Sequence, residues 1–169
     1  MKSFFNIFVI IILSISSLNC GVYGFRGNNP PEGINTIAVP TFRDESGFSD
    51  PALADDLTQR LKVKIISDNT FRIADKNISD AILNCTITNI KDEALVIASG
   101  DNVTKRKVTI TVNVKFENLK KQKLIWEKIT ENYGEYNSSG NTFSERAEGI
   151  NIAKDKIAED ILIDITSNW

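Results

Sequence analysis

The chain contains no histidine. That absence removes the commonest general base, the side chain that changes charge near neutral pH, and the commonest zinc ligand. Cysteine is scarce as well. Cys20 and Cys85 are the only two, so one bridge at most can form and a disulfide scaffold is excluded. Charge of one sign is missing too: 20 Lys+Arg against 22 Asp+Glu leave −2, and no basic excess points to nucleic acid. What is there is ordinary for a folded domain. Of 169 residues, 41% are hydrophobic and 25% charged, which argues against wholesale disorder and fits about one domain.

The first twenty residues read as an address. Met1-Lys2-Ser3 precedes an apolar run from Phe4 to Leu13 and a Ser-rich stretch ending in Leu18-Asn19-Cys20. A positive start, a short apolar core and small residues near a cleavage point make a secretory signal over residues 1–19. The run is too short to span a bilayer, which needs about 20 residues. The cysteine at its end sets it apart, because a thiol there can carry a diacylglyceryl group. Cys20 is therefore expected to become the acylated N-terminus. Ser17 and Asn19 depart from the usual lipobox, and the plainer alternative is a secreted chain with Cys20 bonded to Cys85. After cleavage at Asn19 the chain has 19 basic and 22 acidic residues, a balance of −3. Cys85 then has no partner and, in phase with Ala81, Leu83 and Ile87, reads as a small buried hydrophobe.

Residues 20–33, rich in Gly, Asn and Pro, read as a tether, and residues 34–169 as one domain. Ile34 to Phe42 is a strand candidate, with Pro40 pushing it toward an edge or a bulge. Asp50-Pro51 opens a helix. Its stripe is Leu53, Leu57, Leu61 and Ile65, and it should stop near Ser67-Asp68-Asn69. Phe71 to Ala74 is a second strand, parallel to the first if the helix is a crossover. Ala81 to Ile90 alternates, with Ala94 to Ala98 extending it or starting a hairpin after which Gly100-Asp101-Asn102 turns. Val108, Ile110, Val112, Val114 and Phe116 against Thr109, Thr111, Asn113, Lys115 and Glu117 give the strongest period-2 signal. Lys120 to Lys123 turns that strand into Leu124-Ile125-Trp126. Asn132 to Asn141 reads as irregular. Ser144 opens a last helix whose stripe is Ala147, Ile150, Ala153, Ile157, Ile161 and Ile165. The expected fold is α+β: a two-layer sandwich with two helices on one face of a mixed four- to five-stranded sheet.

Catalytic constellations are not evident. Asp55 and Asp56 point about 100° apart on a helix, so they do not form an acid–base pair. Asp155, Glu159, Asp160 and Asp164 are interleaved with Lys154 and Lys156 as on a solvated face. No phosphate loop, nucleophile elbow or dinucleotide fingerprint occurs. No cofactor, metal or enzymatic activity is expected.

The ordered set of segments resembles a known family. Cys20-Gly21-Val22-Tyr23-Gly24-Phe25, Ile34 to Phe42, Asp68-Asn69-Thr70 leading to Ser79 to Leu83, Lys107 to Phe116, Tyr133 to Ser139, and Glu159 to Trp169 together resemble LptE, the lipopolysaccharide-assembly lipoprotein, in its divergent Bacteroidetes-like branch. The resemblance implies an outer-membrane, periplasm-facing lipoprotein that plugs and helps fold the LptD β-barrel. It also implies contact with lipopolysaccharide at the last step of export, and an anchor in the inner leaflet. The alternative is a free-standing periplasmic ligand-binding lipoprotein.

Two surfaces are singled out. The outward strand phase carries Asn84 and the barrel-contact candidates Thr86, Thr88, Thr109, Thr111 and Asn113, none of them charged. Lys105, Arg106 and Lys107 are the lipopolysaccharide-contact candidates. Arg106 shares the inward phase, and its planar fork can take a phosphate bidentately. Lys120, Lys121 and Lys123 cluster at the far end of the same strand, roughly 45 Å away at about 3.3 Å per residue.

Overall fold

The computed structural model describes residues 31–98, 102–138 and 142–167. The signal, Cys20 and most of the tether lie outside the described residues, as do Gly100-Asp101, residues 139–141 and the last two positions.

Eight elements follow one another: β1 (Thr36–Ala38), β2 (Arg43–Asp44), α1 (Leu53–Asp68), β3 (Arg72–Ile73), β4 (Ala81–Ala98), β5 (Asn102–Asn118), β6 (Lys123–Asn137) and α2 (Thr142–Thr166). The sheet order is β3-β1-β4-β5-β6, with β2 also paired to β4. β1 runs parallel to β3 and to β4, whereas β4, β5 and β6 form an antiparallel meander. The fold is the expected α+β arrangement, with two helices and a mixed sheet, but the sheet has six strands rather than four or five. Pro40 has no N–H to give a ladder, so the predicted Ile34–Phe42 strand shortens to β1, and pairing resumes past its end in β2.

Sequence chemistry accounts for the ends of α1. The Asp50 carboxylate accepts the Ala52 N–H at 3.0 Å, and Pro51 pre-sets the first turn. At the other end Asn69 adopts φ 60°, a conformation Asn tolerates, and its N–H reaches the Ile65 carbonyl. The helices lie side by side and parallel. Lys154 meets Asp56 at 2.5 Å, Arg60 meets Asp155 at 2.7 Å, and Lys64 meets Glu159 at 2.9 Å, in rising order along both.

The core fills the space between helices and sheet. Leu53, Leu57, Leu61 and Ile65 of α1 meet Ile157, Ala158, Ile161 and Ile165 of α2 over Leu83, Ile87, Ile110, Val112, Val114 and Phe116, all essentially inaccessible. Ala147, assigned to the α2 stripe, is exposed, because the first turns of α2 extend beyond this core. Cys85 is a free thiol 5% exposed in the same cluster. Burial pushes that thiol well above the ordinary cysteine range.

β4 is one strand of 18 residues, so Ala94 to Ala98 extends it. A bulge between Ile87 and Asn89 changes its phase. Beyond it Ile90 and Asp92 face the helices, opposite Ile110 and Val108. β6 likewise runs on through Tyr133 to Asn137, a stretch whose composition reads as irregular. Gly134 makes this possible. A Cβ placed on it would fall 1.9 Å from the Gly149 carbonyl oxygen of α2, so helix and strand approach there with no side chain between.

Candidate functional site

Among the described residues, helices cover one face of the sheet and nothing covers the other. On it, Thr86 stands opposite Asn113 in the β4–β5 register, with Thr111 next along β5 on the same side. Thr88 occupies the bulge and donates its hydroxyl to the Thr111 carbonyl at 3.3 Å. Thr109 lies between Lys91 and Tyr133 in the register and is only 8% exposed, so it offers a partner little surface. The other four predicted barrel-contact residues are brought together as a partly exposed neutral stripe.

β6 borders this stripe with carboxylates, which the alternation of β4 and β5 alone did not reveal. Asn113 donates to Glu127 at 2.9 Å and Thr111 donates to Glu131 at 3.1 Å. The Asn113 hydrogen bond first, and then Lys115 at 3.2 Å, hold the Glu127 carboxyl below its ordinary range. Ile129 projects from the same face, opposite Asn113, and is 70% exposed. It sits just beyond Leu124–Trp126, where the sequence reading stopped the strand, so its side could not be assigned.

At the other end of β5 the three candidate cations are all engaged. Lys105 faces Glu135 at 3.8 Å. Lys107 pairs with Glu93 at 3.1 Å and lies over the Tyr133 ring, 5.3 Å from its centre. Arg106 does face inward, and it binds Asp92 at 2.9 Å and the Tyr136 hydroxyl at 3.0 Å. Asp92 also receives Arg146 of α2 at 2.7 Å and the Tyr136 hydroxyl at 2.9 Å. Burial pushes the Asp92 carboxyl up, but the hydrogen bonds from Arg146, Arg106 and Tyr136 together outweigh it and leave it below the ordinary range. Two guanidinium groups thus share one carboxylate, and one positive charge is left over. Asp92 and Arg146 escaped the sequence reading. The signal that would have found Asp92 is Arg106 itself, since an inward arginine needs an inward acid.

The second cation cluster lies at the opposite end of β5. Lys120 reaches Asp80 at 2.5 Å, while Lys121 and Lys123 are exposed at the β5–β6 turn. Among the described residues no group of three or more acidic or cysteine side chains is placed to hold a metal. No described helix is long and apolar enough to cross a membrane.

Among the described residues the domain is a helix-backed α+β fold with one polar sheet face left uncovered. The lipopolysaccharide-assembly family model, LptE, matches residues 34–167. The chain belongs to the LptE family, and that membership places it in lipopolysaccharide assembly. Solved structures share the fold. A Xanthomonas campestris protein is 14% identical with a TM-score of 0.57, covering 79% of this chain and 86% of its own. A minor lipoprotein from Acinetobacter baumannii is 14% identical, TM-score 0.55, over 79% and 93%. Rare lipoprotein B from Shewanella oneidensis is 15% identical, TM-score 0.55, over 78% and 93%. No curated protein matches the sequence.

Proposed function

We propose that the chain is an outer-membrane lipoprotein, acylated at Cys20 and anchored in the inner leaflet, that docks its bare sheet face against an LptD-like β-barrel and assists the barrel in passing lipopolysaccharide outward. The observation that carries this reading is the composition of that face. A stripe of Thr86, Thr88, Thr111 and Asn113 with Ile129 beside it is neutral and partly apolar, which suits burial against a barrel wall better than a face of unpaired charges. The hydrogen bonds that Asn113 and Thr111 donate to Glu127 and Glu131 hold these side chains in place before docking.

Lipopolysaccharide phosphates are assigned to the Arg106 end. Arg106 and Arg146 converge on a single carboxylate, so a phosphate arriving there meets a net positive charge with two planar forks already oriented. Lys105 and Lys107 extend the positive rim once Glu135 and Glu93 turn aside.

Co-purification tests the docking. From detergent-solubilised membranes the chain should carry an outer-membrane β-barrel with it, and Thr111→Asp should lower that yield while leaving the fold unchanged. Recovery of the wild-type chain alone would favour a free-standing ligand-binding lipoprotein and defeat the reading. For the second contact, Arg106→Glu with Lys107→Glu should weaken lipopolysaccharide binding more than Lys120→Glu with Lys121→Glu. Cys20→Ala should move the protein from membranes to the soluble fraction; a wild-type protein already soluble in the periplasm would remove the anchor.

A further inference from the structure

We infer that the β5–β6 turn is a second membrane contact: Lys121, Lys123 and Leu124 rest on the anionic phospholipid surface that holds the lipid anchor. The inference rests on the reading of Cys20 as that anchor. It begins with where the chain enters the domain. Pro31 and Ile34 line one groove of about 300 Å³ together with Lys121, Lys123, Leu124 and Ile125. Glu32 is the acid beside it.

Asp80 fastens this end together. Its carboxylate accepts the N–H groups of Asn35 and Thr36 and the Thr36 hydroxyl, each at 2.9 Å, and pairs with Lys120 at 2.5 Å. Its carbonyl takes the Leu119 N–H at 2.8 Å. The entering strand and the lysine turn therefore move as one unit. Pro31 follows Cys20 by eleven positions. At no more than about 3.6 Å each, they tie this end within roughly 40 Å of the acyl chains. β5 alone is 17 residues long, so its other end lies up to roughly 50 Å further off at about 3.3 Å per residue. Tethering favours the lysine turn over the Arg106 end.

The composition of the turn fits what the tether brings near it. Leu119 to Leu124 holds three lysines and no acid. Lys120 is spent on Asp80, but Lys121 and Lys123 are exposed with no carboxylate paired to them among the described residues. Leu124, 46% exposed, adds an apolar residue at the same spot. Each lysine close to an anionic leaflet strengthens association by about fivefold. Two lysines held there by a short tether favour contact over a freely swinging domain.

The test uses the full acylated protein on vesicles of phosphatidylcholine, with and without phosphatidylglycerol. Leu124→Cys carries an environment-sensitive fluorophore, with Lys105→Cys as the distal control. Cys85 does not compete for label, being buried with its thiol pushed up. With phosphatidylglycerol the Leu124 probe should shift to the blue and be quenched from the lipid phase, while the Lys105 probe stays aqueous. Lys121→Glu with Lys123→Glu should abolish the shift without releasing the protein. Protein that floats with both vesicle types while the Leu124 probe stays aqueous would overturn the turn contact and leave the anchor intact. Protein that floats with neither would overturn the anchor and this inference with it.

Discussion

Replacing Gly134 by alanine tests the close approach of α2 to β6. The added Cβ would sit 1.9 Å from the Gly149 oxygen, 2.9 Å from the Gly149 carbonyl carbon and 2.9 Å from Ile152 Cβ. The first two obstacles are backbone, so no rotamer relieves them. α2 must lift from β6 by about an ångström or more, loosening contacts on both sides. Overpacking typically costs about 1–3 kcal/mol, and an obstacle made of backbone belongs at the upper end, about 3 kcal/mol. For a domain of this size that lowers Tm by about 10 °C. Gly149→Ala is the control. Its Cβ would meet only Tyr136, at 3.1 Å and 3.3 Å, and lies 3.5 Å from the Gly134 oxygen. Alanine also favours a helix interior by about 1 kcal/mol over glycine, which offsets a small shift of Tyr136. Thermal unfolding followed by far-UV circular dichroism should show Gly134→Ala strongly lowered and Gly149→Ala within about 1 kcal/mol of wild type. Equal losses, or a Gly134→Ala protein as stable as its parent, would refute the asymmetry.

Val112→Asp should abolish the folded state, since it puts an unpaired carboxylate at a fully buried position beneath both helices; a cooperative thermal transition in that variant would show the phase of β5 to be wrong. Stability should fall in acid. Asp80 is held below its ordinary range by Lys120, the Asn35 and Thr36 amides and the Thr36 hydroxyl; in Asp56, hydrogen bonds from Arg60 and Lys154 outweigh burial, as those to Asp92 do. The stability from these depressed carboxyls is present above the unfolded aspartate value of about 3.9 and is lost as pH falls through the folded values. Urea midpoints should therefore decline below about pH 4, and Asp80→Asn should lower the neutral-pH midpoint while shrinking that acid dependence. A flat profile between neutrality and pH 3 would remove these carboxylates from the account.

The sequence revealed what repeats and hid what breaks a repeat. β5 was readable from Val108 to Glu117, because every second residue from Val108 to Phe116 is apolar, but its first residues, from Asn102, were not. The stripe of α1 was readable for the same reason, as was its end at Asn69, where the side chain suits a left-handed backbone. β4 was readable only as far as Thr88. The bulge there reverses the phase, so the alternation carried past it points Asp92 toward solvent when it faces the helices. With Asp92 misplaced, the Arg106–Arg146 pairing was invisible. β6 was misread past Asn132 for a different reason. Gly134 looks like turn chemistry, but it is small because a helix passes over it, and that helix comes from a distant part of the chain. Of the two candidate surfaces, the neutral stripe was legible apart from its border of Glu127 and Glu131. Those come from a neighbouring strand whose register no local pattern sets.

The position of β1 within the sheet has a consequence for the order in which the domain assembles. β4, β5 and β6 follow one another within a few residues and pair antiparallel, so each pair can close locally. β1 cannot. It lies between β3 and β4, and Ile37 meets Ala81, 44 positions later in the chain. Closing a loop of that length costs about 3 kcal/mol in chain entropy, more than three residues of ladder return. β1 therefore gains its place only after α1 has crossed over and β4 is already paired, with the Asp80 carboxylate closing on Asn35 and Thr36 as the final clasp. The strand that opens the described domain is the last to lock, after the meander it packs beside.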